Sequence, residues 1–125
     1  DFISLHCPQN TETRGMIDRA RLAVVKPGAF LINLARGGVI DGLDPIHEAL
    51  ASGRLAGAAI DVFDPSPPDV THPLFQMPNC LTSPHAMATT AGAMTRIFKS
   101  MADDMAAILR GAAPCFVVNP EVLDR

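Results

Sequence analysis

Cysteine is sparse, charges of one sign never run together, and no apolar stretch approaches the length of a membrane span. Cys7, Cys80 and Cys115 are odd in number and far apart, with no second cysteine or histidine at metal-ligand spacing beside them. This argues against a disulfide framework and against a metal site, and it fits a reducing cytoplasm. The 10 basic and 13 acidic residues are scattered singly, for a formal charge of −3. A chain so balanced carries no electrostatic footprint for nucleic acid or an anionic membrane, so small neutral or anionic ligands are the partners left open. The first residues, Asp1 to His6, lack the basic segment and long apolar stretch of a signal peptide. They do not begin with methionine, and Phe2 to Leu5 reads as a buried strand with no cap or loop before it, so the chain is expected to start in mid-domain.

What is present is enough apolar material for a core: 48% of the 125 residues are hydrophobic and 18% are charged, the balance of one soluble globular unit. After the first strand, Asn10 is placed to cap a short helical turn with Glu12 at its dipole. Asp18 to Val25 reads as a helix closed by Lys26-Pro27-Gly28, and Ala29 to Leu34 as the next strand. Asp44-Pro45 reads as an N-cap with proline at the first helical position, leading a helix with Ile46, Ala49 and Leu50 on its apolar stripe and Gly53 at its end. Leu55 to Val62 and Cys80 to Thr82 complete the strands, and Asp64 to Pro78 is a stiff loop with five prolines. Ala86 to Leu109 carries Met94, Ile97, Met101, Met105 and Ile108 at spacings of three and four, the pattern of a long helix whose stripe is expected to pack into the core. Gly111 is placed to cap it, and Phe116 to Val118 reads as an edge strand. Strands alternating with helices at these intervals predict an α/β fold, a mainly parallel sheet covered on both faces.

In such a sheet ligands bind outside the carboxyl ends of the strands. There the run Ala29 to Asp41 surfaces at Arg36, followed at once by Gly37 and Gly38; the next strand ends at Asp61-Val62-Phe63, and the last at Ser83-Pro84-His85. Taken singly, Arg36 reads more readily as a solvated charge beside a turn, and Asp61 reads equally as a capping or ion-pairing residue and His85 as a helix-start histidine. Together an arginine, a carboxylate and an imidazole converge on one edge, and that combination points to a reaction.

Leu31-Ile-Asn-Leu-Ala-Arg-Gly-Gly-Val-Ile-Asp41, Gly57-Ala-Ala-Ile-Asp-Val-Phe63 and Pro78-Asn-Cys-Leu-Thr-Ser-Pro-His85 resemble, in order and spacing, the D-isomer-specific 2-hydroxyacid dehydrogenase family. The resemblance extends from Phe2 to Val122, and the tail is most similar to phosphoglycerate-dehydrogenase-type members. It implies the second half of a Rossmann-like doubly wound parallel sheet over residues 1–112, with a long helix, and a tail over 113–125 that returns to a substrate domain. It also implies a homodimer using NAD, with NADP left open, and a 2-oxo or 2-hydroxy acid as substrate. By the same resemblance Arg36 binds the substrate carboxylate and polarises the 2-oxo group, and His85 donates the proton to that oxygen. Asp61 holds the nicotinamide carboxamide, while Cys7, Pro8, Asn10, Leu34, Ala35, Arg36, His85, Ala86, Met87 and Ala88 line the dinucleotide.

The sequence departs from the family pattern in four respects. Ser66 occupies the position of the acidic partner of the histidine, and a hydroxyl does not raise an imidazole's pKa as a carboxylate does. Asp64 or Asp69, in the same loop, substitutes by position if either does. Met87 replaces a small residue two places after the histidine, and an extra residue near Gly42 to Asp44 is expected to delay the helix there. Finally, Gly-x-Gly-x-x-Gly, whose glycines let the backbone approach a pyrophosphate, occurs nowhere in these residues. The chain therefore resembles the carboxyl-terminal part of a longer enzyme and is expected to bind NAD weakly by itself. The rival expectation is a nucleotide-sensing or oligomerising relative that has lost catalysis, for which Ser66 speaks and the joint retention of Arg36 and His85 does not.

Overall fold

Four short apolar segments lie side by side and run in the same direction. In the computed structural model, which describes residues 1–124, strands β1 (Phe2–Leu5), β2 (Ala29–Asn33), β3 (Leu55–Ile60) and β4 (Cys80–Thr82) form one sheet in the order β1-β2-β3-β4. Every pairing is parallel, with Leu5 opposite Asn33, Asn33 opposite Ile60, and Ile60 opposite Thr82. Parallel neighbours need crossovers, and right-handed crossovers that always step the same way lay their helices on one face. Helices α1 (Arg19–Val24) and α2 (Asp44–Ala51) fill the first two crossovers, and the proline-rich loop makes the third. Residues 1–87 and the residues from Ala88 onward form two separate compact units.

The core of the first unit lies between the sheet and these helices. Leu5, Ala29, Leu31, Leu55, Ala58 and Ile60 point to it from the strands, and Leu22, Ile46 and Leu50 meet them. The opposite face is open within this unit, contrary to the expected two-sided cover and buried first strand: Phe2 is 72% exposed and stacks on Phe30 with ring centroids 5.1 Å apart. Alternation along β1 and β2 sends those two rings away from α1 and α2, and only Leu5 of β1 is buried.

Several element ends differ from the sequence expectation for local reasons. Asp18 lies outside α1 as its N-cap, its carboxylate accepting from the Arg21 N–H at 2.7 Å. Asp44 is the first residue of α2 rather than its cap; Leu43 holds the cap position without a side-chain bond, and the Asp44 carboxylate meets His72 Nε2 at 3.0 Å. Asn10 caps a short turn as expected, its Oδ1 accepting from the Glu12 and Thr13 amides and its carbonyl from the Arg14 N–H at 3.0 Å. In the second unit α3 spans Ala91–Leu109, starting later than expected behind the Thr90 cap. Its methionine and isoleucine stripe is not buried: Met101 and Ile108 are more than half exposed, since this small unit has no second layer broad enough to cover it. Phe116 to Val118 forms no strand.

The turn after β2 leans directly on the chain leaving β3. A Cβ built on Gly37 would stand 2.1 Å from the Phe63 carbonyl carbon and 2.5 Å from the Asp64 nitrogen, both backbone atoms. Gly37→Ala is therefore expected to destabilise the fold by about 3 kcal/mol or more, above the usual cost of overpacking because main chain must move. Urea unfolding followed by circular dichroism measures it, and an unchanged midpoint contradicts this packing.

Candidate active site

At the end of β2 the buried Asn33 side chain turns back on the residues that follow. Its Oδ1 accepts from the Ala35 N–H at 3.1 Å and its Nδ2 donates to the Arg36 carbonyl at 3.0 Å. The Gly38 N–H then donates to Gln9 Oε1 at 3.0 Å. The Arg36 guanidinium is exposed, folds onto the Ala35 carbonyl at 2.7 Å, and pairs with no carboxylate among the described residues. A planar cation with donors to spare suits a carboxylate or phosphate. It lines a cavity of about 540 Å³ with His6, Cys7, Pro8, Gln9, Leu34 and Ala35.

At the end of β3 Asp61 is buried, and its carboxylate collects the turn after β4. Oδ1 accepts from Ser83 Oγ at 2.6 Å and from the Ala86 N–H at 2.8 Å, and Oδ2 accepts from the Met87 N–H at 3.2 Å. The Asp61 carbonyl accepts from the His85 N–H at 2.8 Å. These bonds hold His85 at φ +55°, the left-handed region, where it is the sole non-glycine residue among those described. Such a conformation costs of order 1 kcal/mol or more and persists where surrounding bonds over-determine it. Burial acts to raise the Asp61 pKa. The bonds from Ser83, Ala86 and Met87, with the nearby His85 charge, outweigh it and hold the carboxyl below its ordinary value.

His85 and Asp61 share a second cavity, also of about 540 Å³, with Ser66, Phe63, Pro67 and Phe75. The two loop carboxylates that might have replaced an acid at Ser66 face elsewhere. Asp64 pairs with Arg14 at 3.2 Å, and Asp69 accepts from the Thr71 amide and hydroxyl; neither lines this cavity. His72 pins the loop to α2 by bonding Asp44 and accepting the Leu74 N–H on Nδ1.

Of the residues singled out in the sequence, Cys7, Pro8, Leu34, Ala35 and Arg36 meet in one cavity, and Asp61, Ser66 and His85 in the other. Adjacent parallel strands bring both to the same sheet edge. Asn10 lines neither cavity, Ala86 and Met87 contribute backbone N–H groups to Asp61, and Ala88 belongs to the second unit. Asn33, Gln9 and Ser83 escaped notice. Asn33 alone carried a signal, an amide at the last position of an otherwise apolar strand. Among the described residues no cluster of three His, Cys, Asp or Glu side chains could hold a metal, and no helix is long and apolar enough to cross a membrane.

The family model described as D-isomer specific 2-hydroxyacid dehydrogenase, NAD binding domain, matches residues 1–87, the span of the first unit. Glyoxylate reductase of Thermofilum pendens is 40% identical over 123 residues, 98% of this chain and 36% of that protein. D-3-phosphoglycerate dehydrogenase of Archaeoglobus fulgidus is 34% identical over 119 residues, 95% of this chain and 22% of that protein. Among solved structures, D-lactate dehydrogenase with NAD+ from Lactobacillus jensenii superposes with a TM-score of 0.85 at 31% identity, over 94% of this chain and 39% of that one. The chain thus spans about a fifth to two fifths of the relatives it matches.

Because its folded pKa is depressed, Asp61 contributes stability that is full above the unfolded carboxyl value of about 4 and is lost as pH falls through the lower folded value. Asp61→Asn is expected to remove that part of the acid dependence and to speed amide exchange at His85, Ala86 and Met87. Hydrogen exchange between about pH 3 and pH 6 measures both, and unchanged protection of these amides contradicts the clamp.

Proposed function

The chain belongs to the D-isomer specific 2-hydroxyacid dehydrogenase family, and on that premise we propose that it works in an oxidoreductase moving a hydride between NAD(H) and a D-2-hydroxy acid or its 2-oxo partner. The observation that carries the reading is the Asp61 clamp. From the end of β3, between the two, it fixes a histidine in a strained turn after β4, on the sheet edge where β2 releases an arginine that pairs with no carboxylate among the described residues. We read residues 1–112 as the second half of the dinucleotide-binding domain and 113–125 as a tail returning to a substrate domain. Three free cysteines accord with a cytoplasmic enzyme, and the family resemblance with a homodimer.

The donor set fits the nicotinamide half of the cofactor. Asp61 Oδ2 accepts from the Met87 N–H at 3.2 Å, and its other lone pair suits a carboxamide N–H. The cavity of Cys7, Pro8, Leu34 and Ala35 offers a mixed apolar and carbonyl wall. NADH, when bound, supplies the hydride to the 2-oxo carbon. Arg36 binds the substrate carboxylate through its fork of N–H groups and withdraws charge from the adjacent carbonyl. His85, protonated on its ring, donates that proton to the carbonyl oxygen as the alcohol forms, and in the reverse direction takes it back. Asp61, its carboxyl held below the ordinary carboxylate value, keeps its negative charge at neutral pH. With Ser66 in the loop, Asp61 is the one carboxylate lining the His85 cavity among the described residues.

In the full protein, assayed with NADH or NADPH and a panel of glyoxylate, hydroxypyruvate, its 3-phosphate and pyruvate, Arg36→Gln is expected to raise the 2-oxo acid KM roughly 10- to 100-fold, the value of one charged hydrogen bond. His85→Gln should lower kcat by about 10²- to 10⁴-fold with KM little changed. A wild-type protein that binds NADH and reduces nothing in the panel would establish the nucleotide-sensing alternative. Ser66→Glu places a carboxylate beside the imidazole and holds its proton to higher pH, so the alkaline limb of the reductive rate profile is expected to move upward. An unmoved limb would mean that residue 66 does not address His85.

A further inference from the structure

Asn33 and Asp61 are the two polar side chains in the buried set of the described residues. Each holds a turn at the same sheet edge: Asn33 holds the Arg36 turn that follows its own strand, and Asp61 holds the His85 turn that follows the neighbouring one. An amide sealed inside a parallel sheet is unfavourable unless its hydrogen bonds are made, and an apolar residue at this position would pack without that requirement. Asn33 makes its bonds with main chain on both sides of one bend. Oδ1 receives the Ala35 N–H at 3.1 Å, and Nδ2 reaches the Arg36 carbonyl at 3.0 Å. These two bonds enclose Leu34 and Ala35 in a closed ring and fix the direction in which the chain leaves β2. The Asn33 carbonyl, in turn, accepts the Asp61 N–H at 3.1 Å. One residue thus joins the main chain at the His85 anchor to the main chain at Arg36.

We propose that Asn33 is a positioning residue, setting Arg36 relative to the Asp61–His85 turn so that a carboxylate held by the guanidinium presents its 2-oxo group to the imidazole. This rests on the reading of Arg36 as the carboxylate binder. A misplaced fork loses bidentate geometry, so the defect falls more heavily on substrate KM and kcat/KM than on NADH affinity, which loses only the order of the Leu34–Ala35 wall. Aspartate at position 33 gives a chemical control, since only its protonated form accepts from Ala35 and donates to the Arg36 carbonyl as the amide does.

Asn33→Ala, Asn33→Asp and Arg36→Gln are compared in the full protein by steady-state kinetics with the preferred 2-oxo acid, NADH titration by fluorescence, and thermal unfolding. Asn33→Ala is expected to raise the 2-oxo acid KM at least 10-fold while the NADH Kd rises by a clearly smaller factor. Asn33→Asp should show the same defect near pH 8 and recover toward the wild-type KM, as a ratio at each pH, on descent to about pH 6. If Arg36→Gln raises KM and both Asn33 variants leave it unchanged, the positioning role is overturned and the reading of Arg36 stands. If Arg36→Gln itself leaves KM unchanged, that reading fails and the proposal falls with it. Equal losses of NADH and substrate affinity in the Asn33 variants mark a general structural role and likewise overturn the proposal. Should Asn33→Ala fold poorly, Asn33→Asp alone decides through its pH-dependent recovery.

Discussion

One buried carboxylate joins the ends of two strands. Asp61 leaves β3 in the core and accepts bonds from Ser83, Ala86 and Met87, so the segment after β4 takes its shape from a residue more than twenty positions earlier. Those bonds, with the one from the His85 N–H to the Asp61 carbonyl, surround His85 where it takes a positive φ. The same bonds keep Asp61 ionised despite burial, which leaves a fixed negative charge beside the imidazole. Structure and electrostatics at this edge therefore have a common origin.

The parallel sheet makes that edge possible. Crossovers in one direction place the carboxyl ends of β2, β3 and β4 next to one another and send their following loops to the same side. Gly37 lets the turn after β2 lie against the backbone leaving β3, and Gln9 ties Gly38 from the β1 side. The proline-rich loop is pinned at His72 by Asp44 and closes over the cavity that contains His85. Its two aspartates are occupied with Arg14 and Thr71, and neither lines the cavity that contains His85.

Much of this was legible from local pattern. Apolar runs located all four strands, Lys26-Pro27-Gly28 stopped the first helix, and Asp18 announced its start. Misreadings cluster where a side chain has a distant partner. Asp44 has the residue type and the following proline of a cap, yet His72 claims its carboxylate from 28 positions away. The long helix was expected from Ala86, but Asp61 captures the Ala86 and Met87 amides and the helix waits for Thr90. Phe116 to Val118 has the composition of a strand and no neighbour with which to pair.

By itself the sequence determined the α/β class, the order of the elements and the residue types gathered at the sheet edge, because periodicity, turn chemistry and motif spacing are local properties of the chain. Tertiary structure alone decided which polar groups are anchors and which are free to act. Asn33 and Asp61 are buried and bound to the turns, while Arg36 is exposed and pairs with no carboxylate among the described residues. Burial and hydrogen-bond partnership depend on residues tens of positions apart arriving at one point, and that information exists only once the strands have paired.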